Sequence, residues 1–187
     1  MDLTVSVIVV TYNRPSSCRK TINSLLHQSV LPSEIIIIDD ASSKPFKIAH
    51  PLVKIFRNQF ELGLSASRNI GVKISRGDII AFIDDDAIAD SDYIKNVKHA
   101  FLEYAADIIG GPVLPIFTIE PPKWFDVKQF GICIGINQKN DIIGCNFAVK
   151  RSVFEKIGYF NEALGRKYKK LCQERRWSFF RGQDMLN

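Results

Sequence analysis

Two apolar runs in this chain end directly in aspartates. Residues 35–38 lead into two aspartates at 39–40, and residues 79–83 lead into three at 84–86. A short apolar run bounded by turn residues is typical of a strand that is buried on both faces. Adjacent carboxylates repel one another, and bulk solvent or a cation must offset that repulsion. The two runs therefore predict buried strands that place acidic groups at one edge of a sheet.

Predicted strands and helices alternate along the first half of the chain. Strands are predicted at residues 4–10, 34–38, 52–56, 79–83 and 107–113, and helices begin at residues 15, 63 and 91. This alternation predicts an α/β fold, with a mostly parallel sheet covered by helices on both faces. Ligands bind beyond the carboxyl ends of the strands in such sheets, which is where the aspartates are expected.

The pattern changes after residue 112, where prolines at 112, 115, 121 and 122 interrupt regular structure. A hairpin-like pair of strands is predicted at residues 131–136 and 142–149, and a short helix at 152–157. The second half of the chain is therefore expected to differ in structure from the first half.

Composition narrows the class of protein without choosing a function. The chain has 187 residues, 46% hydrophobic and 24% charged, which argues for one folded domain and against disorder. No apolar run approaches the roughly 20 residues that cross a bilayer, and the four cysteines form no CxxC pair. We therefore expect a reduced, cytoplasmic location without structural zinc. The formal net charge of +5 fits an anionic substrate, nucleic acid or an acidic membrane surface equally well.

The aspartate triplet is the strongest candidate for chemistry. Alternate side chains of a strand end point the same way, so Asp84 and Asp86 are expected to converge on one point. Carboxylates combined with substrate phosphates suit Mg²⁺ or Mn²⁺. A bare triplet is more often a solvated acidic turn, but the apolar strand before this one favours the cation site.

Three further polar clusters are expected at the same edge. Asp40 could accept hydrogen bonds from a base or ribose, although capping a turn is, for this segment alone, the explanation that its residue types favour. Tyr12 could stack on a base, Thr11 could hydrogen-bond to it, and Arg68 could reach a base carbonyl or a phosphate. The alternatives are a capped loop around residues 11–14 and a cation on a helix surface.

Taken in order, these clusters resemble family 2 glycosyltransferases of GT-A fold. The segments that carry the resemblance are VSVIVVTYNR (5–14), IIIDDASS (36–43), GLSASRNIG (63–71), GDIIAFIDDD (77–86), GCNFAVKR (144–151) and FEKIGYFNEALGR (154–166). Ser67 replaces the usual alanine of the third segment, and Tyr159 replaces the usual second glycine of the last. The resemblance covers about residues 4–166.

The resemblance implies a GT-A, Rossmann-like sheet and a set of site residues. A nucleotide-sugar-binding half is expected at residues 1–115, an incomplete acceptor-side portion at 116–170 and an atypical tail at 171–187. The residues expected to bind the nucleotide sugar are Thr11, Tyr12, Asn13, Asp40, Arg68 and Asp84. Asp86 and Asp84 form the metal-binding DxD element, for which Asp86 is the better candidate ligand, and Trp124 and Asn146 are expected to meet the acceptor.

The expected reaction is metal-dependent, inverting transfer of a sugar from a nucleotide diphosphate donor, in polysaccharide biosynthesis. Family habit favours a UDP-sugar, and the acceptor is a saccharide or a lipid-linked sugar, which leaves peripheral membrane association open. A nucleotidyltransferase would show a glycine-rich phosphate loop, and residues 11–15 contain no glycine. Nucleic-acid binding rests on mild basicity alone and is not expected.

The family's general base is a carboxylate in a Gly-Glu-Asp/Glu motif, and residues 171–177 contain no such motif. Asp184 is a substitute candidate, although it lies several residues late. Residues 172–180 can also be back-translated so that a two-nucleotide shift encodes SGEEVEFF, which restores the motif at the expected distance. The alternative function is therefore a truncated or frame-shifted chain that binds the nucleotide sugar without transferring it.

The tail generates a testable prediction. We expect the 187-residue chain to bind donor but to transfer sugar roughly 10²–10⁴-fold more slowly than a version with the restored frame, because a positioned general base is missing. Arg175 and Arg176 would lower the pKa of Glu174 and weaken it as a base. The test measures the turnover of both chains with the same donor and acceptor. Equal rates would refute the hypothesis that the chain is truncated. Loss of activity in Asp184→Asn would then identify Asp184 as the base.

Overall fold

The computed structural model describes residues 2–117, 119–125 and 142–164. The strands in these ranges are β1 (Val5–Thr11), β2 (Glu34–Asp39), β3 (Val53–Arg57), β4 (Ile79–Ile83), β5 (Ile108–Gly110) and β6 (Asn146–Lys150). The α-helices are α1 (Pro15–Leu26), α2 (Leu64–Ile74), α3 (Tyr93–Glu103) and α4 (Arg151–Ile157), and a 3-10 turn covers Glu162–Leu164.

The strands form one sheet in the order β3-β2-β1-β4-β6-β5. β1 pairs in parallel with both β2 and β4, and β2 pairs in parallel with β3. β6 runs antiparallel to its two neighbours, β4 and β5. The predicted α/β fold with a mostly parallel sheet is therefore confirmed.

Two apolar layers cover the two faces of the sheet. Side chains alternate along β2, so that Ile35 and Ile37 lie in one layer while Ile36 and Ile38 lie in the other. The first layer contains buried residues of α1 and α3, and the second contains buried residues of α2 and α4. Because both faces are covered, the central strands are apolar except at Ser6 and at their ends.

The register of the central strands aligns their carboxyl ends. Thr11, the last residue of β1, pairs with Asp39, the last residue of β2. Asp40 N continues this contact by donating to Thr11 O at 2.9 Å. β4 runs parallel on the other side of β1 and ends at Ile83. The residues that follow three strands therefore meet at one edge, as the sequence predicts.

Elements after residue 104 differ in extent from the predictions. β5 ends at Gly110, before Pro112, which has no N–H to offer a neighbouring strand. β6 begins at Asn146 rather than at residue 142, because a turn closed by Asn146 N and Ile143 O at 3.1 Å precedes it. The predicted partner strand at 131–136 lies outside the described residues.

β6 belongs to the segment that was predicted to face the acceptor, and it lies in the same sheet as the first half of the chain. The boundaries at residues 115 and 170 stay predictions, and the tail at 171–187 lies outside the described residues. Among the helices of the described residues, none combines the length and the apolar character needed to cross a bilayer.

Close packing of α2 against β1 explains why residue 71 of the segment 63–71 is a glycine. A Cβ at this position of α2 would lie 2.7 Å from Ile8 Cγ2, and Ile8 is a buried residue of β1. Such a distance is shorter than a van der Waals contact, so the helix can lie this close to the sheet because residue 71 has no side chain.

This contact predicts the effect of Gly71→Ala. Overpacking costs about 1–3 kcal/mol, which exceeds the gain of up to ~1 kcal/mol in helix propensity, so the free energy of unfolding should fall. Urea denaturation measures it. Ile8→Ala should cost less in the Gly71→Ala background than in the wild type, because the added methyl group then has room. Strictly additive effects would show that the Ile8 contact is not the cause.

Candidate active site

Asp39 organises the loop that follows β2. Its carboxylate is fully buried and accepts hydrogen bonds from Ser42 N at 2.9 Å, Phe46 N at 3.0 Å and Arg57 Nη1 at 2.7 Å. Burial by itself would raise the pKa of Asp39, but these hydrogen bonds outweigh it and lower the pKa below its ordinary value. Asp39 therefore fixes residues 41–46 beside the edge of the sheet.

Asp40 organises the start of α2. It is 4% exposed. Its Oδ1 accepts from Asn58 Nδ2 at 2.7 Å and Leu62 N at 2.9 Å, and its Oδ2 accepts from Gly63 N at 2.8 Å. Gly63 is the N-terminal cap residue of α2 and has a φ of 92°, a conformation that favours glycine. Both oxygens thus have partners within the protein, while the predicted contact with a base or ribose stays a prediction.

Arg68 is a buried cation that α2 carries to this edge. Its side chain is 8% exposed, and Nη2 donates to Asp84 Oδ1 at 3.2 Å and to Gly144 O at 2.6 Å. The guanidinium lies over the stacked rings of Phe82 and Phe147, at 5.6 and 5.4 Å from their centroids. Burial lowers the pKa of Arg68, and the Asp84 carboxylate opposes that effect. These contacts hold the guanidinium in one position.

The three aspartates lie in a turn rather than along an extended strand. β4 ends at Ile83, and Ala87 N donates to Asp84 O at 3.1 Å. Side-chain alternation therefore does not continue through residues 84–86, and the predicted pair divides: Asp84 contacts Arg68, whereas Asp86 contacts Arg14. Burial, followed by repulsion from the two neighbouring carboxylates, raises the pKa of Asp84, and Arg68 opposes this rise.

Asp85 and Asp86 share one guanidinium. Arg14 Nη1 donates to Asp85 Oδ1 at 3.3 Å and to Asp86 Oδ2 at 2.8 Å. Thr11 Oγ1 donates to the other oxygen of Asp85 at 2.7 Å. The Asp85 side chain is 8% exposed and the Asp86 side chain is 57% exposed. Burial raises the pKa of Asp85, while Thr11 and Arg14 oppose the rise. Asp85 is thus enclosed by protein, and Asp86 faces solvent.

The remaining predicted nucleotide residues lie in the loop after β1. Tyr12 is half-buried, and Asn13 is exposed with a φ of 55°. Asn13 Oδ1 accepts from Ser43 N at 2.8 Å and Ser43 Oγ at 2.9 Å. The structure thus places the loops that follow β1 and β2 side by side, next to Asp85.

The two predicted acceptor residues, Asn146 and Trp124, both lie within the described residues. Asn146 Nδ2 donates to Pro112 O at 3.0 Å and so ties the start of β6 to the segment after β5. Trp124 is 74% exposed, and its ring centroid lies 6.3 Å from that of Phe125. The predicted base, Asp184, lies outside the described residues.

Sequence reasoning missed two side chains of this site. Asn58 is buried and donates to both Asp40 and Ser67 Oγ, and its position directly after β3 is the signal that could have identified it. Cys145 lies beside Asp84, and burial, then the Asp84 charge, raises the pKa of its thiol to about 11. Among the described residues, no three His, Cys, Asp or Glu side chains come together as a metal site made by protein alone.

Comparison with known proteins identifies the family. The sequence profile of Glycosyl transferase family 2 matches residues 6–158. The chain belongs to glycosyltransferase family 2. The resemblance seen in the six sequence segments is thereby confirmed.

The relatives of this family 2 glycosyltransferase include enzymes with named reactions. It is 30% identical to glucosyl-dolichyl phosphate glucuronosyltransferase of Haloferax volcanii over 90% of this chain and 59% of that protein. It is 32% identical to a UDP-Glc:alpha-D-GlcNAc-diphosphoundecaprenol beta-1,3-glucosyltransferase of Escherichia coli, over 46% of this chain and 36% of that protein. The chain thus spans less than two thirds of these relatives.

Solved structures confirm the GT-A fold of this family 2 glycosyltransferase. S. aureus TarS in complex with UDP aligns with a TM-score of 0.66 and 18% identity over 87% of this chain and 52% of that chain. The mannosyltransferase PcManGT of Pyrobaculum calidifontis, in complex with GDP-Man and Mn²⁺, aligns with a TM-score of 0.64 and 18% identity over 87% of this chain and 48% of that chain.

The contacts of Asp40 predict the effect of Asp40→Asn. The amide of asparagine would turn its own N–H group toward at least one of the three donors that Asp40 now accepts from, so that a hydrogen bond is lost. We therefore expect the free energy of unfolding to fall by about 1.5–3 kcal/mol, the scale of hydrogen bonds to a charged group. Asp107→Asn is the matched control, because its pair with Lys150 is exposed and should contribute less than about 1 kcal/mol. Urea denaturation measures both. Unchanged stability with weakened UDP binding would instead assign Asp40 to the nucleotide.

Proposed function

We propose that this chain transfers a sugar from a nucleoside diphosphate donor to a saccharide or lipid-linked acceptor, with inversion and with a divalent cation. The observation that carries the proposal is the edge where Asp84, Asp85 and Asp86 meet Arg14 and Arg68. Carboxylates suit a cation, and guanidinium groups suit phosphates. A diphosphate with its cation requires both kinds of group in one place.

The carboxylates present fit a hard divalent cation. Asp86 is more than half exposed, and the Asp84 side chain is 39% exposed, so both have oxygens that a ligand from solvent can reach. Mg²⁺ is bound through one or two carboxylates together with substrate phosphates and water. Two aspartates are therefore enough, because the donor phosphates and water supply the remaining ligands. Asp86 and Asp84 would hold the Mg²⁺ or Mn²⁺, and a cation held there would supply positive charge to neutralise the diphosphate.

The donor side is formed by residues that the fold already holds in place. Arg68 holds the Asp84 carboxylate in place, because Gly144 O and two aromatic rings fix its guanidinium. Tyr12 offers a half-buried ring for stacking on the base. Asp40 acts on the nucleotide through the loop at residues 58–63 that it holds. A UDP-sugar is the favoured donor, in keeping with the UDP bound to TarS.

The acceptor side is formed by the segment after β5. Trp124 presents an exposed ring, which suits the apolar face of a sugar. Asn146 positions the start of this segment through Pro112 O. Leu114 and Ile116, exposed at 71% and 72%, suit a lipid-linked acceptor, the kind that the names of two relatives contain. We therefore propose that the enzyme works at a membrane surface, and the reduced cysteines expected from the sequence favour the cytoplasm.

A donor-binding chain that transfers no sugar is the second candidate. It is motivated by residues 171–177, which lack the expected base motif. The two candidates share the donor site and differ in the general base, for which Asp184 is our proposal. Nucleotide-sugar binding without release of nucleoside diphosphate in the presence of acceptor would identify the second candidate.

The different surroundings of two adjacent aspartates predict different effects. Asp86→Asn should weaken Mn²⁺-dependent UDP binding by about 10–100-fold, the scale of a lost charged interaction. Asp85→Asn, buried against Thr11 and Arg14, should weaken binding less and lower the free energy of unfolding by about 1–3 kcal/mol. Calorimetry with UDP and Mn²⁺ and urea denaturation of both variants decide. Equal losses of UDP affinity would mean that the ligand assignment is wrong.

A further inference from the structure

We propose that Arg14 and the divalent cation of the donor compete for Asp86, so that arrival of the cation releases the Arg14 guanidinium to the donor diphosphate. This inference rests on the proposed function and adds a positioning residue to it. Its basis is the arrangement of two arginines around three aspartates, in which one arginine is fixed and the other is half-exposed.

Arg68 cannot take part in such an exchange. Its side chain is 8% exposed, and a main-chain carbonyl and two stacked rings hold it as well as Asp84. If Arg68 moved away from Asp84, its buried positive charge would lose its carboxylate partner, which is costly. The Arg14 side chain is 48% exposed, so its reorientation exchanges contacts with protein for contacts with water at small cost.

The contacts of Arg14 with Asp85 and with Asp86 differ in how easily they can be given up. Asp85 is enclosed and accepts a second hydrogen bond from Thr11 at 2.7 Å, which keeps that carboxylate in place. Asp86 is 57% exposed, so its 2.8 Å contact with Arg14 is an ion pair of the weak, solvent-screened kind. A cation that approaches Asp86 from solvent repels the guanidinium already beside it. Arg14 is thus expected to give up Asp86 and to keep Asp85.

Arg14 is placed to meet a phosphate once it leaves Asp86. It is the N-terminal cap residue of α1, whose first turn contains no acidic residue, so the positive end of the helix adds to its charge. Its planar fork of donors matches phosphate oxygens. After the exchange, Asp86 faces the cation and Arg14 faces the diphosphate, so every charge keeps an opposite partner.

The test measures metal and nucleotide binding separately in the full chain. In Arg14→Gln, Mn²⁺ alone should bind roughly two- to fivefold more tightly, because a weak competing ion pair is gone. UDP at saturating Mn²⁺ should bind roughly tenfold or more weakly, because a charged contact to phosphate is lost. Isothermal titration calorimetry gives both affinities. The opposite signs distinguish this role from a structural one, which would weaken both.

Arg19→Gln is the matched control, with the same change on the same helix. Arg19 contacts Lys47 O and the ring of Phe46 rather than the aspartates at 84–86, so both affinities should stay within about twofold of wild type, as for surface changes in general. Arg14→Lys keeps the charge but loses the fork. It should leave Mn²⁺ affinity unchanged and weaken UDP binding, and it decides the question if Arg14→Gln does not fold.

Two results would overturn the inference while leaving the proposed function intact. One is wild-type or weaker Mn²⁺ affinity in Arg14→Gln, which would mean that Arg14 does not compete for Asp86. The other is wild-type UDP affinity in both Arg14 variants, which would mean that the guanidinium is not released to the diphosphate. A wild-type chain that binds neither Mn²⁺ nor UDP overturns the proposed function and the inference with it.

Discussion

The hydrogen-bonded ion pair between Arg68 and Asp84 joins three elements that are distant in sequence. Arg68 lies on α2, Asp84 follows β4, and Gly144, whose carbonyl accepts from the same nitrogen, precedes β6. A buried guanidinium is tolerated only where its donors have partners, and here the carboxylate, the carbonyl and two rings supply them. Together with the pairing of β4 and β6, this contact holds the aspartate turn beside the start of β6.

Five aspartates lie at the carboxyl ends of β2 and β4, and their different surroundings imply different roles. Asp39 and Asp40 are buried, and main-chain N–H groups satisfy them, so they shape loops. Asp85 is buried against Thr11 and Arg14. Burial in each case removes solvent from the carboxylate and makes protein donors its partners. Asp86, the most exposed member of the triplet at residues 84–86, is the carboxylate that a ligand from solvent reaches first.

The close packing of α2 against the sheet connects stability with the site. Gly71 permits the approach of α2 to Ile8, and Asp40 holds the N-terminal cap residue of the same helix. The helix then carries Arg68 to Asp84. A change in the packing of α2 would therefore move a cation of the site, because a helix transmits displacement along its length as a rigid element.

The sequence by itself determined the strands and their mostly parallel arrangement, because apolar runs such as residues 35–38 and 79–83 indicate burial. It also determined the family, because the segments around these runs carry the family pattern. It also placed the aspartates at one edge, since parallel strands end together. Only the tertiary structure decided that β6 enters the sheet between β4 and β5, that Asp40 meets Asn58 and Gly63, and that Arg14 pairs with Asp86. Local patterns report periodicity and burial, whereas these partners lie 18 to 72 residues apart along the chain.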